Sequence, residues 1–126
     1  MILIFGGVYQ GKLEYALERF RLTEDDVGHC TDRDGVYPKD KKIIYEFDKW
    51  ILSLIYENKD VLGEVKCFIE DNKDSVVICN DISCGVVPTD PIMRKWREAF
   101  GKSLGMLAQK SDEVIRLYCG IPSKLK

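Results

Sequence analysis

The tightest constraint on this chain lies in its first twenty residues. Four apolar side chains, Ile2-Leu3-Ile4-Phe5, are cut off by Gly6-Gly7, and Gly11-Lys12 follows after Val8-Tyr9-Gln10. A continuous apolar run ended by glycine is the pattern of a strand buried on both faces. Leu13, Ala16, Leu17 and Phe20 then recur at helical spacing, with Glu14, Glu18 and Arg19 off the stripe, which predicts an amphipathic helix. Strand, glycine loop and helix in this order fit the GxxxxGK pattern of a phosphate-binding P-loop. The glycines let backbone N–H groups curl around a phosphate chain, the helix N-terminus lends its dipole, and Lys12 adds a point charge. Gly6, Gly7, Val8, Tyr9, Gln10, Gly11, Lys12 and Leu13 are therefore the expected nucleotide-binding residues, with Lys12 also the expected catalytic cation. The pattern normally closes on Ser or Thr, whose hydroxyl binds Mg²⁺. Here Leu13 stands in that position, so one metal ligand is missing. An ordinary glycine-rich turn is the alternative reading.

Beyond the loop, extended and helical patterns alternate, which predicts an α/β protein with a mainly parallel sheet. Val27 to Cys30 reads as a short second strand and residues 31–42 as a polar loop. Ile43 to Tyr45 reads as a third strand, followed by a helix carrying Phe47, Trp50, Ile51, Leu54 and Ile55 on one face. Val61, Leu62, Val65, Phe68 and Ile69 continue helical spacing, and Ser75 to Cys79 is the clearest internal strand. From about Pro91 to Gln109 a long helix places Met93, Trp96, Phe100, Leu104 and Leu107 on one stripe, and Val114 to Tyr118 reads as the last strand. The 126 residues, 45% of them hydrophobic, suffice for one buried core, so residues 1–126 are expected to form a single domain.

Nineteen basic against 21 acidic residues leave a net charge of −2. No basic run offers a footprint for nucleic acid or an anionic membrane, and neither is expected as a partner. Five cysteines form an odd set without CxxC spacing, which reads as a reduced, cytoplasmic protein. Cys30, Cys79 and Cys119 each close a predicted strand, where small buried thiols are commoner than a thiolate metal centre.

Asp81 follows the best internal strand and so belongs at the carboxyl edge of the sheet, where open α/β folds bind ligands. It either holds Mg²⁺, directly or through water, or caps a turn. Together these segments resemble the bifunctional adenosylcobinamide kinase/adenosylcobinamide-phosphate guanylyltransferases of cobalamin biosynthesis. The resemblance rests on Ile2 to Gly7 with Gly11-Lys12, and on Asn80-Asp81 followed by Gly85-Val86-Val87-Pro88. It continues through Arg94-Lys95-Trp96-Arg97, Gly101, Ser111-Asp112-Glu113-Val114, Gly120-Ile121-Pro122 and Lys124-Leu125-Lys126.

That resemblance implies a P-loop NTPase-like three-layer fold binding GTP or ATP with Mg²⁺. It also implies phosphorylation of the aminopropanol hydroxyl of adenosylcobinamide, a corrinoid, and transfer of GMP to that phosphate through a guanylylated histidine. A homo-oligomer is implied as well. The chain holds one histidine, His29, which is the candidate for the nucleotide-accepting role, although it matches the family's second strand. The family's acidic motif Asp-Cys-Leu-Thr-Leu-Trp corresponds to Tyr45-Glu46-Phe47-Asp48-Lys49-Trp50, where Glu46 replaces the acid with a one-residue shift and becomes a second candidate Mg²⁺ ligand. A non-catalytic nucleotide-binding or regulatory module derived from the family is the competing expectation.

Overall fold

Aliphatic and β-branched runs alternate with amphipathic stripes along the chain, and each becomes a strand or a helix. The computed structural model describes residues 1–82 and 88–126; Cys84 and the Gly85-Val86-Val87 part of the family resemblance lie outside the described residues. β1 (Ile2–Gly6) leads through the glycine loop into α1 (Lys12–Phe20). A short 3₁₀ turn at Glu24–Asp26 precedes β2 (Val27–His29), and the polar loop ends at β3 (Ile43–Tyr45). There follow α2 (Phe47–Tyr56), α3 (Val61–Asp71), β4 (Val76–Asn80), α4 (Pro91–Lys110) and β5 (Glu113–Tyr118).

The strands form one six-stranded sheet in the order β2-β3-β4-β1-β5-β6, in which only the last pairing is antiparallel. Side chains alternate across its two faces. In register, Leu3 faces the same side as Val77 and Val114, while Ile4 faces the other side with Ile78 and Ile115. The first face packs on α2, α3 and α4, and the second on α1. The result is a three-layer α/β fold. The thicker layer centres on Phe47, Trp50 and Phe68, whose ring centroids lie 4.9 to 5.3 Å apart. Each is fully buried, and burial of a side chain of this kind contributes about 1.5–3 kcal/mol.

Local chemistry sets the start of the longest helix. The Asp90 carboxylate accepts the Ile92 N–H at 2.8 Å, and Pro91 occupies the first helical position, where its missing donor costs nothing. The expectation that Val114 to Tyr118 ends the sheet requires correction, because β6 (Ile121–Lys124) returns antiparallel along β5. Cys119 and Gly120 both have positive φ, 52° and 75°, as a two-residue hairpin turn requires. All four β6 residues are exposed, so no apolar alternation marks the strand. Pro122 is tolerated because β6 is an edge.

β1 lies between β4 and β5. The connection after β1 leads to a helix on one face, and the connection after β4 leads to a helix on the other. A crevice opens at such a switch point, between the carboxyl ends of β1 and β4.

Candidate nucleotide site at the carboxyl edge of the sheet

Backbone demands explain the glycines that begin and end the loop. A Cβ at Gly6 would collide with the carbonyl oxygen of Leu117 on the neighbouring strand. Gly11 has φ 82°, and its carbonyl accepts the Tyr15 N–H at 3.0 Å, starting α1. Tyr9 at the loop tip is also left-handed, with φ 62°, and the residue is 99% exposed. Gln10 ties the tip to the β5–β6 turn: its carbonyl accepts the Gly120 N–H at 3.1 Å, and its side-chain oxygen accepts the Cys119 N–H.

Lys12, the first residue of α1, is only 5% exposed. Its Nζ donates to the Gly7 carbonyl at 2.6 Å. Desolvation lowers its pKa from the ordinary 10.5, opposed by the fields of Cys79, Asp48, Glu14 and Glu46. Burial disfavours the charged ammonium, so a phosphate arriving here meets a cation with little solvent to give up.

The loop faces a cavity of about 570 Å³. Val8 to Glu14 form one wall, while Tyr45, Glu46 and Lys49 at the β3–α2 junction, with Asn80 at the end of β4, form the other. Val8 to Leu13, including Lys12, converge with Glu46 on this cavity; Gly6 and Gly7 form the loop's base without lining it. Glu46 precedes α2 with φ 61° and is ion-paired with Lys49. Asp81 lies just behind: its N–H donates to the Gly6 carbonyl at 2.8 Å, and it is not among the lining residues. His29, at the end of β2, is exposed and also outside the lining, although its ring stands edge-on to Tyr45 at 5.4 Å.

The donors around this cavity bear on Mg²⁺ directly. Leu13 presents an apolar side chain to it, and no group of three or more His, Cys, Asp or Glu residues gathers as a metal site among the described residues. Magnesium held with a nucleotide draws most of its ligands from phosphates and water. One or two carboxylates are therefore enough; Glu46 lines the cavity, whereas Asp81 stands outside the lining.

Sequence reasoning missed Asp48. It lies in the first turn of α2, 3% exposed, with its carboxylate accepting the Asn80 N–H at 3.0 Å. Its backbone carbonyl accepts the Trp96 indole N–H at 2.8 Å. Burial pushes its pKa up, while the Asn80 hydrogen bonds pull it down. A helical stripe marks which residues should be apolar, but not which polar neighbour follows them inside. Among the described residues the strand-end thiols form no metal-holding group: Cys30 is buried with its pKa pushed up to about 12 by desolvation, Cys79 is buried with its own well above the ordinary thiol value, and Cys119 is exposed.

A mainly parallel sheet, a glycine loop at its carboxyl edge and a buried lysine opening α1 define a P-loop NTPase-like protein. The family model described as cobinamide kinase / cobinamide phosphate guanyltransferase matches residues 43–125, about two thirds of the chain. The chain belongs to that family, whose members act on cobinamide and on nucleotides in cobalamin biosynthesis. The match begins at β3, so it spans the β3–β4 wall of the cavity and leaves the glycine loop to be judged on geometry. No curated protein gives a significant match.

Proposed function

We propose that this chain binds GTP or ATP at residues 6–13 and uses it to phosphorylate the aminopropanol hydroxyl of adenosylcobinamide. The observation that carries the reading is the convergence of the loop, buried Lys12, Glu46 and Asn80 on one cavity, in a chain of the cobinamide kinase family. Backbone N–H groups of the loop and the N-terminus of α1 receive the phosphates. Lys12 exchanges its bond to the Gly7 carbonyl for a phosphate oxygen and neutralises charge that grows as the terminal phosphoryl group moves. The substrate hydroxyl oxygen bonds to phosphorus, the bond to the nucleoside diphosphate breaks, and the hydroxyl proton is released. Mg²⁺, when bound, would spread the phosphate charge; Glu46, in the cavity lining, would hold it, with Asp81, outside the lining, reaching it through water.

Guanylyl transfer is the less supported half of the family's chemistry in this chain, because His29 stands outside the cavity lining. Leu13 in the cavity wall favours a second reading, a nucleotide-binding module without turnover. The reading also includes a cytoplasmic, homo-oligomeric protein; no helix among the described residues is long and apolar enough to cross a membrane.

Purified protein incubated with adenosylcobinamide, Mg²⁺ and GTP or ATP decides between them. Formation of a phosphate ester that Lys12→Ala abolishes supports the kinase. Tight nucleotide binding without any corrinoid product supports the module. A guanylyl adduct lost in His29→Ala would restore the transferase step.

A further inference from the structure

A carboxylate buried in the first turn of α2, as that of Asp48 is, costs several kcal/mol unless its oxygens are satisfied. On packing alone an apolar residue would serve better at position 48. The reason for an acid there lies in the ladder of the sheet. Successive residues of a strand donate to opposite neighbours. Asp81, just past β4, donates toward β1, to the Gly6 carbonyl at 2.8 Å. Asn80 therefore donates toward β3. But β3 ends at Tyr45, whose register partner is Ile78, and the chain turns away at Glu46 with φ 61°. The Asn80 N–H outlasts the strand that should receive it, and the Asp48 carboxylate takes it at 3.0 Å.

We propose that Asp48 is a positioning residue of the phosphate site, extending the β4 ladder past the end of β3 so that Asn80 is held in the cavity wall and Asp81 against Gly6 at the root of the glycine loop. The Trp96 indole, bonded to the Asp48 carbonyl at 2.8 Å, fixes the same turn from α4. Asp48 thus joins α2, β4 and α4 just behind the cavity, while none of its atoms lines it. Its consequence for ligand binding rests on the nucleotide reading above; the clamp itself does not.

Asp48→Asn keeps an oxygen acceptor of the same reach, Asp48→Ala keeps none, and Asp48→Leu fills the volume if the alanine variant fails to fold. Amide hydrogen exchange in the ligand-free chain should show Asn80 and Asp81 protected in wild type and Asp48→Asn. Exchange there should be at least about tenfold faster in Asp48→Ala or Asp48→Leu, as loss of a charge-assisted hydrogen bond predicts. The GTP dissociation constant should rise by about the same factor in those two variants and be restored to near the wild-type value by asparagine. A merely volume-filling role would be served by leucine and not by asparagine. Unchanged exchange at Asn80 and Asp81 in Asp48→Leu overturns the clamp, as does an asparagine variant no better than leucine. A wild-type chain that fails to bind GTP or ATP removes the nucleotide reading instead, and the exchange pattern still decides the clamp.

Discussion

The loop wall and the β3–β4 wall face the same cavity, yet one is held by backbone conformation and the other by packing. Along the loop, Val8 and Tyr9 are exposed, Tyr9 and Gly11 adopt positive φ, and Lys12 is anchored by its bond to Gly7. Across the cavity, Glu46 just precedes and Lys49 stands on a helix whose inner face, Phe47, Trp50, Ile51 and Leu54, is fully buried. The family match covers the second wall and stops short of the first. The packed wall can therefore be expected to govern whether the chain folds, and the loop wall whether a folded chain holds a nucleotide. Segments with few buried contacts open at lower free energy than the core does.

The largest effect should come from the packed side. Phe68 is fully buried against Phe47, Trp50 and Tyr37, and Phe68→Ala should cost about 3–5 kcal/mol of stability, read from urea unfolding. Under conditions where the variant remains folded, its nucleotide affinity should match wild type. Affinity lost in proportion to stability would mean that the two walls are one cooperative unit.

Lys12→Ala should do the reverse. Losing a charged donor to phosphate should weaken GTP binding by about 10- to 150-fold, corresponding to about 1.5–3 kcal/mol, measured by titration calorimetry. Stability should hold or rise, since a desolvated amine is removed. The lowered pKa of Lys12 adds a pH signature. With its proton Lys12 attracts phosphate, so wild-type affinity should fall as pH rises toward a midpoint below 10.5, and Lys12→Ala should lack that decline.

What could be read in the sequence follows the same division. Strands buried on both faces, such as Ile2 to Phe5 and Val76 to Cys79, announce themselves by composition, as does the long helix through its stripe. The glycine loop is legible because its geometry requires residue types that few other contexts need. β6 is not, since exposed Ile121, Pro122, Ser123 and Lys124 carry no burial pattern; the Cys119-Gly120 pair was the available turn signal. Asp48 escaped for a different reason. Glu46 and Asp48 are alike as residues, and only the end of β3 decides that one faces the cavity while the other caps a strand from inside. Strand order is equally hidden, because it arises from pairings across most of the chain.

Gly6 lines neither wall but joins the loop to the packed sheet, as the last residue of β1 at the root of the loop. Gly6→Ala should force β1 and β5 apart at Leu117, costing about 1–3 kcal/mol of stability, the usual range for overpacking. Unlike the two substitutions above, it should lower stability and nucleotide affinity together. Loss of affinity alone, in parallel unfolding and binding measurements, would place Gly6 with the loop wall only.

Gln10→Ala should give the smallest change. The side chain accepts the Cys119 N–H, while the bond from the Gly120 N–H to the Gln10 carbonyl does not depend on it. One neutral hydrogen bond at the surface contributes about 0.5–1.5 kcal/mol, so GTP affinity should drop by no more than about tenfold, with global stability unchanged. Amide exchange should accelerate at Cys119 and stay slow at Gly120. If both amides lose protection, the side chain holds the hairpin as well as the loop tip. The loop wall would then extend into β6, giving the exposed edge strand a part in ordering the phosphate site.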